Sequence, residues 1–222
     1  MCGRFTLTVP LQKIEERFDI EDTTLEDYEP SFNIAPGQNV AAVINDGAKN
    51  RLGVLTWGLV PHWASDPNIG YKMINARAET AHTKNSFKRP LETQRCILPA
   101  DSFYEWKTEN GKKQPYRIRL AGESLFALAG LWEKWEKKEG DKRFTCTILT
   151  IEANAFMEGL HHRMPVILKE ELESTWLDPG IQDHHALQNC LAPIDSSIME
   201  AYPVSKAVNN VKNNAEDLLN PL

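Results

Sequence analysis

The chain has 222 residues, 41% of them hydrophobic and 25% charged, with a net charge of −6. That balance describes one soluble globular domain with enough apolar side chain for a core, and it excludes disorder, collagen and coiled coil. The longest apolar run, Leu125 to Trp132, falls far below the ~20 residues of a membrane-spanning helix, and Arg4 interrupts the region where a secretory signal would be apolar. An intracellular, cytoplasmic chain is expected, with no membrane partner.

Pro10, Leu11, Ile14 and Phe18 have helical spacing, with Thr8 as the expected cap and Pro10 in the first turn. Strands are expected over 39–44, 52–57, 96–107, 115–120, 125–132, 144–151 and 164–168. Asp46-Gly47 and Asn110-Gly111 supply dipeptides that favour tight hairpin turns. Helical stretches are expected near 80–89, 153–160, 169–177 and 213–219, and His184-His185 reads as a polar loop. Successive strands without intervening helices give an α+β fold: a single domain over 1–222 with a mainly antiparallel, partly barrel-like β core and peripheral short helices.

Cys2, Cys96, Cys146 and Cys190 are too widely spaced for a zinc motif or redox dithiol, so four free thiols and no metal are expected. The net charge argues against a general nucleic-acid binder. Its distribution is uneven, however: residues 10–30 carry a net −6 and residues 84–119 a net +5. One basic face on an acidic protein fits this pattern.

The start, Met1-Cys2-Gly3-Arg4-Phe5, carries the sharpest chemistry. Initiator methionine is normally removed before a small residue, which would leave Cys2 at the N-terminus with an α-amine and a thiol on adjacent carbons. The amine condenses with an aldehyde, and the thiol then closes a five-membered thiazolidine. The same pair could serve amide hydrolysis, with the amine as the thiol's base. A second-position cysteine can also be accidental.

Four further segments stand out. In Ile74–Thr80, an extended backbone would put Asn75, Arg77 and Glu79 on one face, suited to a nucleotide; an internally salt-bridged helix entry is equally compatible. Glu105 lies in Phe103–Lys107 among aromatic residues, with Tyr104 and Trp106 expected on the opposite face. It is a candidate for a raised pKa and general acid/base work, or for an exposed ion pair. His161-His162-Arg163 precedes a short apolar strand; histidines adjacent in a strand would point apart, which disfavours a zinc pair. Trp57 and Trp63, with the Asn33–Gly37 loop, could stack on unpaired bases or pack beneath loops.

Together these blocks resemble the SRAP family (SOS response-associated peptidase domain): MCGRF, N-x-APG, WGL-x-P-x-W, INAR-x-E-T, E-W and H-x-R-x-P, in that order, with Pro203-Val204-Ser205 near the end. The resemblance implies a sensor and shield of abasic sites in single-stranded DNA, bonded through Cys2 as a thiazolidine. It implies catalytic roles for Cys2, Asn75, Glu105 and His161: Asn75 orients the sugar or the Cys2 end, and Glu105 and His161 manage protons. Arg4, Arg77 and Arg163 would grip phosphates, Pro36 and Trp63 would shape or stack against the strand, and Phe87 and Lys88 would extend that surface. His162 and Ala64 depart from residues common in the family and bear on DNA contact rather than chemistry. No cofactor is required, a monomer suffices, nucleoid association is expected, and replication or repair proteins form the class of recruiting partner.

Two other classes compete. A thiol peptidase would need a leader or a proteolysed partner, and only Met1 precedes Cys2. A non-catalytic single-strand binding module would bind reversibly and salt-sensitively, indifferent to Cys2 substitution.

Overall fold

β-branched and aromatic runs build the centre of the molecule from strands. The computed structural model describes residues 2–25, 27–122, 125–137 and 140–222, so Met1, whose removal is expected, lies outside the described residues. The strands are β1 (Phe5–Leu7), β2 (Ile20–Thr23), β3 (Ser31–Ile34), β4 (Asn39–Asn45), β5 (Asn50–Trp57), β6 (Asn75–Arg77) and β7 (Arg95–Ala100). They continue as β8 (Ser102–Glu109), β9 (Lys112–Leu120), β10 (Phe126–Glu136), β11 (Lys142–Glu152), β12 (Arg163–Pro165), β13 (Ile167–Leu168) and β14 (Met199–Pro203). Short helices α1 (Leu11–Arg17), α2 (Ala78–Ala81), α3 (Lys88–Thr93), α4 (Glu170–Leu177) and α5 (His184–Cys190) lie around them.

Five strands form an antiparallel sheet in the order β14-β9-β8-β1-β3. A second sheet runs β12-β11-β10-β7-β4-β5-β2, and a parallel pairing of β5 with β11 curls its middle into a partly closed five-stranded barrel. The fold is thus the expected α+β arrangement with a mainly antiparallel, partly barrel-like core. Phe5, Trp57, Ile97, Leu98, Phe126 and Trp176 are among its largest buried side chains. All four cysteines are buried free thiols.

The run 96–107 is not one strand. It breaks at Asp101, which separates β7 in the barrel from β8 in the other sheet. The Asp101 carboxylate accepts from the Thr6 hydroxyl, from the Thr8 backbone N–H and, at 2.7 Å, from the Thr8 hydroxyl. Thr8 therefore does not cap α1; Pro10 occupies that position with no side-chain cap. The 164–168 strand likewise splits, β12 pairing with β11 and β13 with β10. Around 80–89 only α2 and the first turn of α3 are helical, while 153–160 and 213–219 each hold one 3-10 turn. His184-His185 opens α5, because the Asp183 carboxylate accepts from Ala186 N–H and caps the helix.

Both expected hairpins form. Asn110 (φ 49°) and Gly111 (φ 74°) make the two-residue turn from β8 to β9, and Asp46-Gly47 lies in the β4–β5 connection. A glycine is required where the loop after β5 folds back on itself. Gly58 has φ 135°, and a Cβ there would sit 2.8 Å from the Gly70 carbonyl oxygen. Gly58→Ala is expected to cost about 1–3 kcal/mol, read as a lower urea midpoint.

Candidate active site

β1 is an interior strand, paired with β8 on one side and β3 on the other, and this anchors the start of the chain within the sheet. Phe5 pairs with Phe103, and Tyr104 N–H donates to the Arg4 carbonyl at 2.9 Å, so Cys2 runs alongside Glu105. Cys2 is 0% exposed, and burial, reinforced by the Glu105 charge, pushes its thiol up to about 12. A thiol so held is neutral at physiological pH and needs a base to become a nucleophile.

β11 delivers the other two groups. Past its pairing with β10 and β5, it takes β12 on one edge and β6 on the other, which brings Asn75 and the segment before Arg163 to the same end of the strand. Asn75 Nδ2 donates to the Cys2 carbonyl at 2.9 Å, while its Oδ1 is buried with no hydrogen-bond partner among the described residues. His161 Nδ1 lies 2.9 Å from the Arg163 N–H and 3.1 Å from the Arg163 carbonyl oxygen, and in the tautomer that donates to that carbonyl Nε2 is free to accept a proton. Burial holds the imidazole below its ordinary value, so it is a neutral base at pH 7. The rings of His161 and His162 stack at 4.3 Å, not apart, because both precede β12 and lie outside any strand.

Glu105 is 3% exposed, and burial raises its carboxyl above the ordinary range. Tyr104 and Trp106 face away from it, as strand alternation requires, into a separate cluster with Val204, Val208 and Leu218. Because the folded pKa is raised, the fold binds the Glu105 proton more tightly than the unfolded chain does. The penalty for ionising it is absent below the ordinary carboxylate range and grows as pH climbs through the folded pKa. Glu105→Gln is therefore expected to raise the melting temperature at pH 7 and leave it nearly unchanged at pH 4, as paired thermal melts would show.

The arginines divide by exposure. Arg77 is exposed, but Arg4 and Arg163 are buried. Arg4 donates from Nη1 to Asn33 Oδ1 at 2.6 Å and to the Val208 carbonyl at 2.7 Å, tying β1 to the C-terminal segment. Arg163 makes a two-pronged pair with Glu79 at 2.6 and 2.9 Å and donates to the Thr150 carbonyl. Glu79 thus leaves the extended face it was expected to share with Asn75 and Arg77, because α2 begins at Ala78. Trp57 is buried, with Nε1 donating to the Ile74 carbonyl, whereas Trp63 is 52% exposed on its loop. Trp63 and Lys88 line one open groove with Asn85 and Arg89; Phe87 is half-buried beside it, and Pro36 is half-buried in the loop after β3. Arg95, counted in the basic stretch, is buried and donates to the Trp176 and Leu91 carbonyls, so it adds nothing to a binding face.

The fold is a partly closed barrel and a second sheet that together bury Cys2 beside the Asn75 amide and the Glu105 carboxylate. The chain belongs to the SOS response associated peptidase (SRAP) family, whose model matches residues 1–211. It is 54% identical over 221 residues to abasic site processing protein YoqW of Bacillus subtilis (strain 168), covering 99% of each chain. It is 28% identical over 262 residues to abasic site processing protein HMCES of Xenopus tropicalis, covering 99% of this chain and 78% of that one. A crystal structure of a Bacteroides thetaiotaomicron protein superposes with a TM-score of 0.90 at 25% identity over the whole of both chains. Among the described residues, no helix is long and apolar enough to cross a membrane.

Proposed function

We propose that this chain processes abasic sites in single-stranded DNA by bonding covalently to them through Cys2 once Met1 is removed. The observation that carries the reading is the burial of Cys2 beside Glu105, with its carbonyl held by Asn75. The free α-amine attacks the aldehyde of the ring-opened deoxyribose and expels water, giving an imine. The thiol then adds across the C=N bond: sulfur bonds to carbon, the thiol proton passes through a neighbouring base to nitrogen, and the thiazolidine closes. His161, neutral at pH 7, takes that proton, and Glu105, its carboxyl raised by burial, supplies one to the departing hydroxyl. Asn75 holds the Cys2 carbonyl, fixing the amine towards the sugar.

Arg77, exposed beside the site, meets the flanking phosphate, and the buried Arg4 adds short-range positive potential, whereas the charge of Arg163 is matched by Glu79. Trp63 and Pro36 meet neighbouring bases, and Lys88 with Phe87 continues that surface. No metal or organic cofactor enters these steps, and a single copy supplies every group.

The test is a denaturing gel of the methionine-processed protein with an oligonucleotide carrying one abasic site, beside an intact strand. A denaturant-resistant band that requires the abasic site supports the reading. Its absence, with the free N-terminal cysteine confirmed by intact mass, refutes it.

A further inference from the structure

Glu133 lies outside the groups given a role above. It is a carboxylate 1% exposed on β10, at a position where alternation continues the core-facing series Ala127, Ala129 and Leu131. A carboxylate so buried persists only when its oxygens are bonded. Its partners come from two separate elements. Oε2 lies 3.0 Å from His62 Nδ1 in the loop after β5, and Oε1 accepts from Arg89 Nη1 of α3 at 3.2 Å. Lys134 N–H adds a bond to Oε1 at 3.1 Å.

The two partners are the immediate sequence neighbours of Trp63 and Lys88, which line one groove. The loop is also fastened on either side of Trp63. Val60 N–H donates to the Thr145 hydroxyl at 2.8 Å, and Trp135 Nε1 donates to the Ala64 carbonyl at 2.7 Å. Trp135 packs there with Val60 and Ala64. These contacts fix the loop to the β10–β11 hairpin, but only Glu133 joins that loop to α3 among the hydrogen bonds described.

The geometry points to Glu133 as a positioning residue that sets the spacing between Trp63 and Lys88, so that a base stacked on the indole has its phosphate within reach of the ammonium. The inference rests on the single-stranded DNA reading above. It assigns the grip on the strand to a carboxylate that never touches DNA and that, by its charge, would ordinarily be expected to repel it. Glu133 acts on affinity and not on the bond-forming step, because Cys2, Asn75 and His161 are held by β1, β6 and β12, none of which it contacts through a hydrogen bond.

The experiment pairs two readouts on the methionine-processed protein: anisotropy titration of a labelled intact oligonucleotide, and the crosslinking rate at saturating abasic oligonucleotide. Glu133→Gln keeps the side-chain shape and removes the carboxylate charge that holds His62 and Arg89 together. It is expected to raise Kd about tenfold, within what the loss of one stacked base produces, and to leave the saturating rate unchanged. On a Trp63→Ala/Lys88→Ala background it is expected to add nothing, a non-additivity that a general loss of stability would not produce. His62→Ala, at a half-exposed position outside the groove lining, carries the same test should Glu133→Gln fail to fold. An unchanged Kd, or a full additional loss on the double-variant background, overturns the inference. A wild-type protein that crosslinks beside such variants would leave the abasic-site reading standing, whereas a wild-type protein that neither binds nor crosslinks overturns both.

Discussion

Cys2→Ala protein, incubated with a strand carrying one abasic site, is expected to give no band that survives denaturant. The substitution keeps the amine, so an imine still forms, but an imine hydrolyses in water and nothing closes the ring. The thiol's contribution is intramolecular: it sits on the carbon next to the one bearing the nitrogen, where effective concentrations reach about 10⁵ M and above. Cys2→Ser separates the two halves of the chemistry. Its amine should be trapped on the DNA only when borohydride reduces the imine, while the unreduced reaction stays unlinked. Full crosslinking by Cys2→Ala would end the proposed mechanism, because the covalent bond would then have to come from another nucleophile.

The second large effect is expected away from the reacting atoms. Asp101→Ala removes the acceptor shared by the Thr6 hydroxyl and by the backbone and hydroxyl of Thr8, and it leaves Arg117, 3.8 Å away, without its counter-charge. Breaking a buried charged network typically costs about 3–5 kcal/mol, a large share of a domain's total stability. The loss should appear as a lower urea midpoint. It should also appear as faster hydrogen exchange at the β1 amides, because Asp101 ties that strand to the point where the chain passes from barrel to sheet. Asp101→Asn retains an acceptor oxygen and should fall between. Unchanged exchange at Phe5–Leu7 in a destabilised Asp101→Ala would show that β1 does not depend on the carboxylate.

The same residue shows where the sequence is and is not readable. β4, β5, β9, β10 and β11 are long enough for alternation and β-branched content to announce them, and the β4–β5 and β8–β9 turns carry Asp-Gly and Asn-Gly. β1, β6 and β12 have only three residues each, too few for a period of two to register, yet they carry or adjoin Cys2, Asn75 and His161. Cys96–Ala100 and Phe103–Tyr104 are apolar on either side of the break because both sheets bury them, so hydrophobicity could not reveal the change of sheet at Asp101. Chemistry was more legible than connectivity: the aminothiol, the carboxylate among aromatics and the histidine stood out by residue type alone. The burial of Arg4 and Arg163 did not, because a guanidinium matched to a carboxylate or carbonyl in the fold looks, in sequence, like one offered to phosphate. Glu133 had left a trace, a single acid on the core-facing side of an apolar strand.

The interior place of β1 also has a mechanical meaning. A nucleic acid bonded at Cys2 would be tethered three residues from a strand clasped on both sides, by β8 and by β3. Tension on the DNA then loads β1 along its length, and both ladders must slide together before the strand can leave. An edge strand would peel away one hydrogen bond at a time. The attachment point is therefore built to resist pulling, and the domain would yield to forces that unravel the rest of the sheet before it would release the strand it holds.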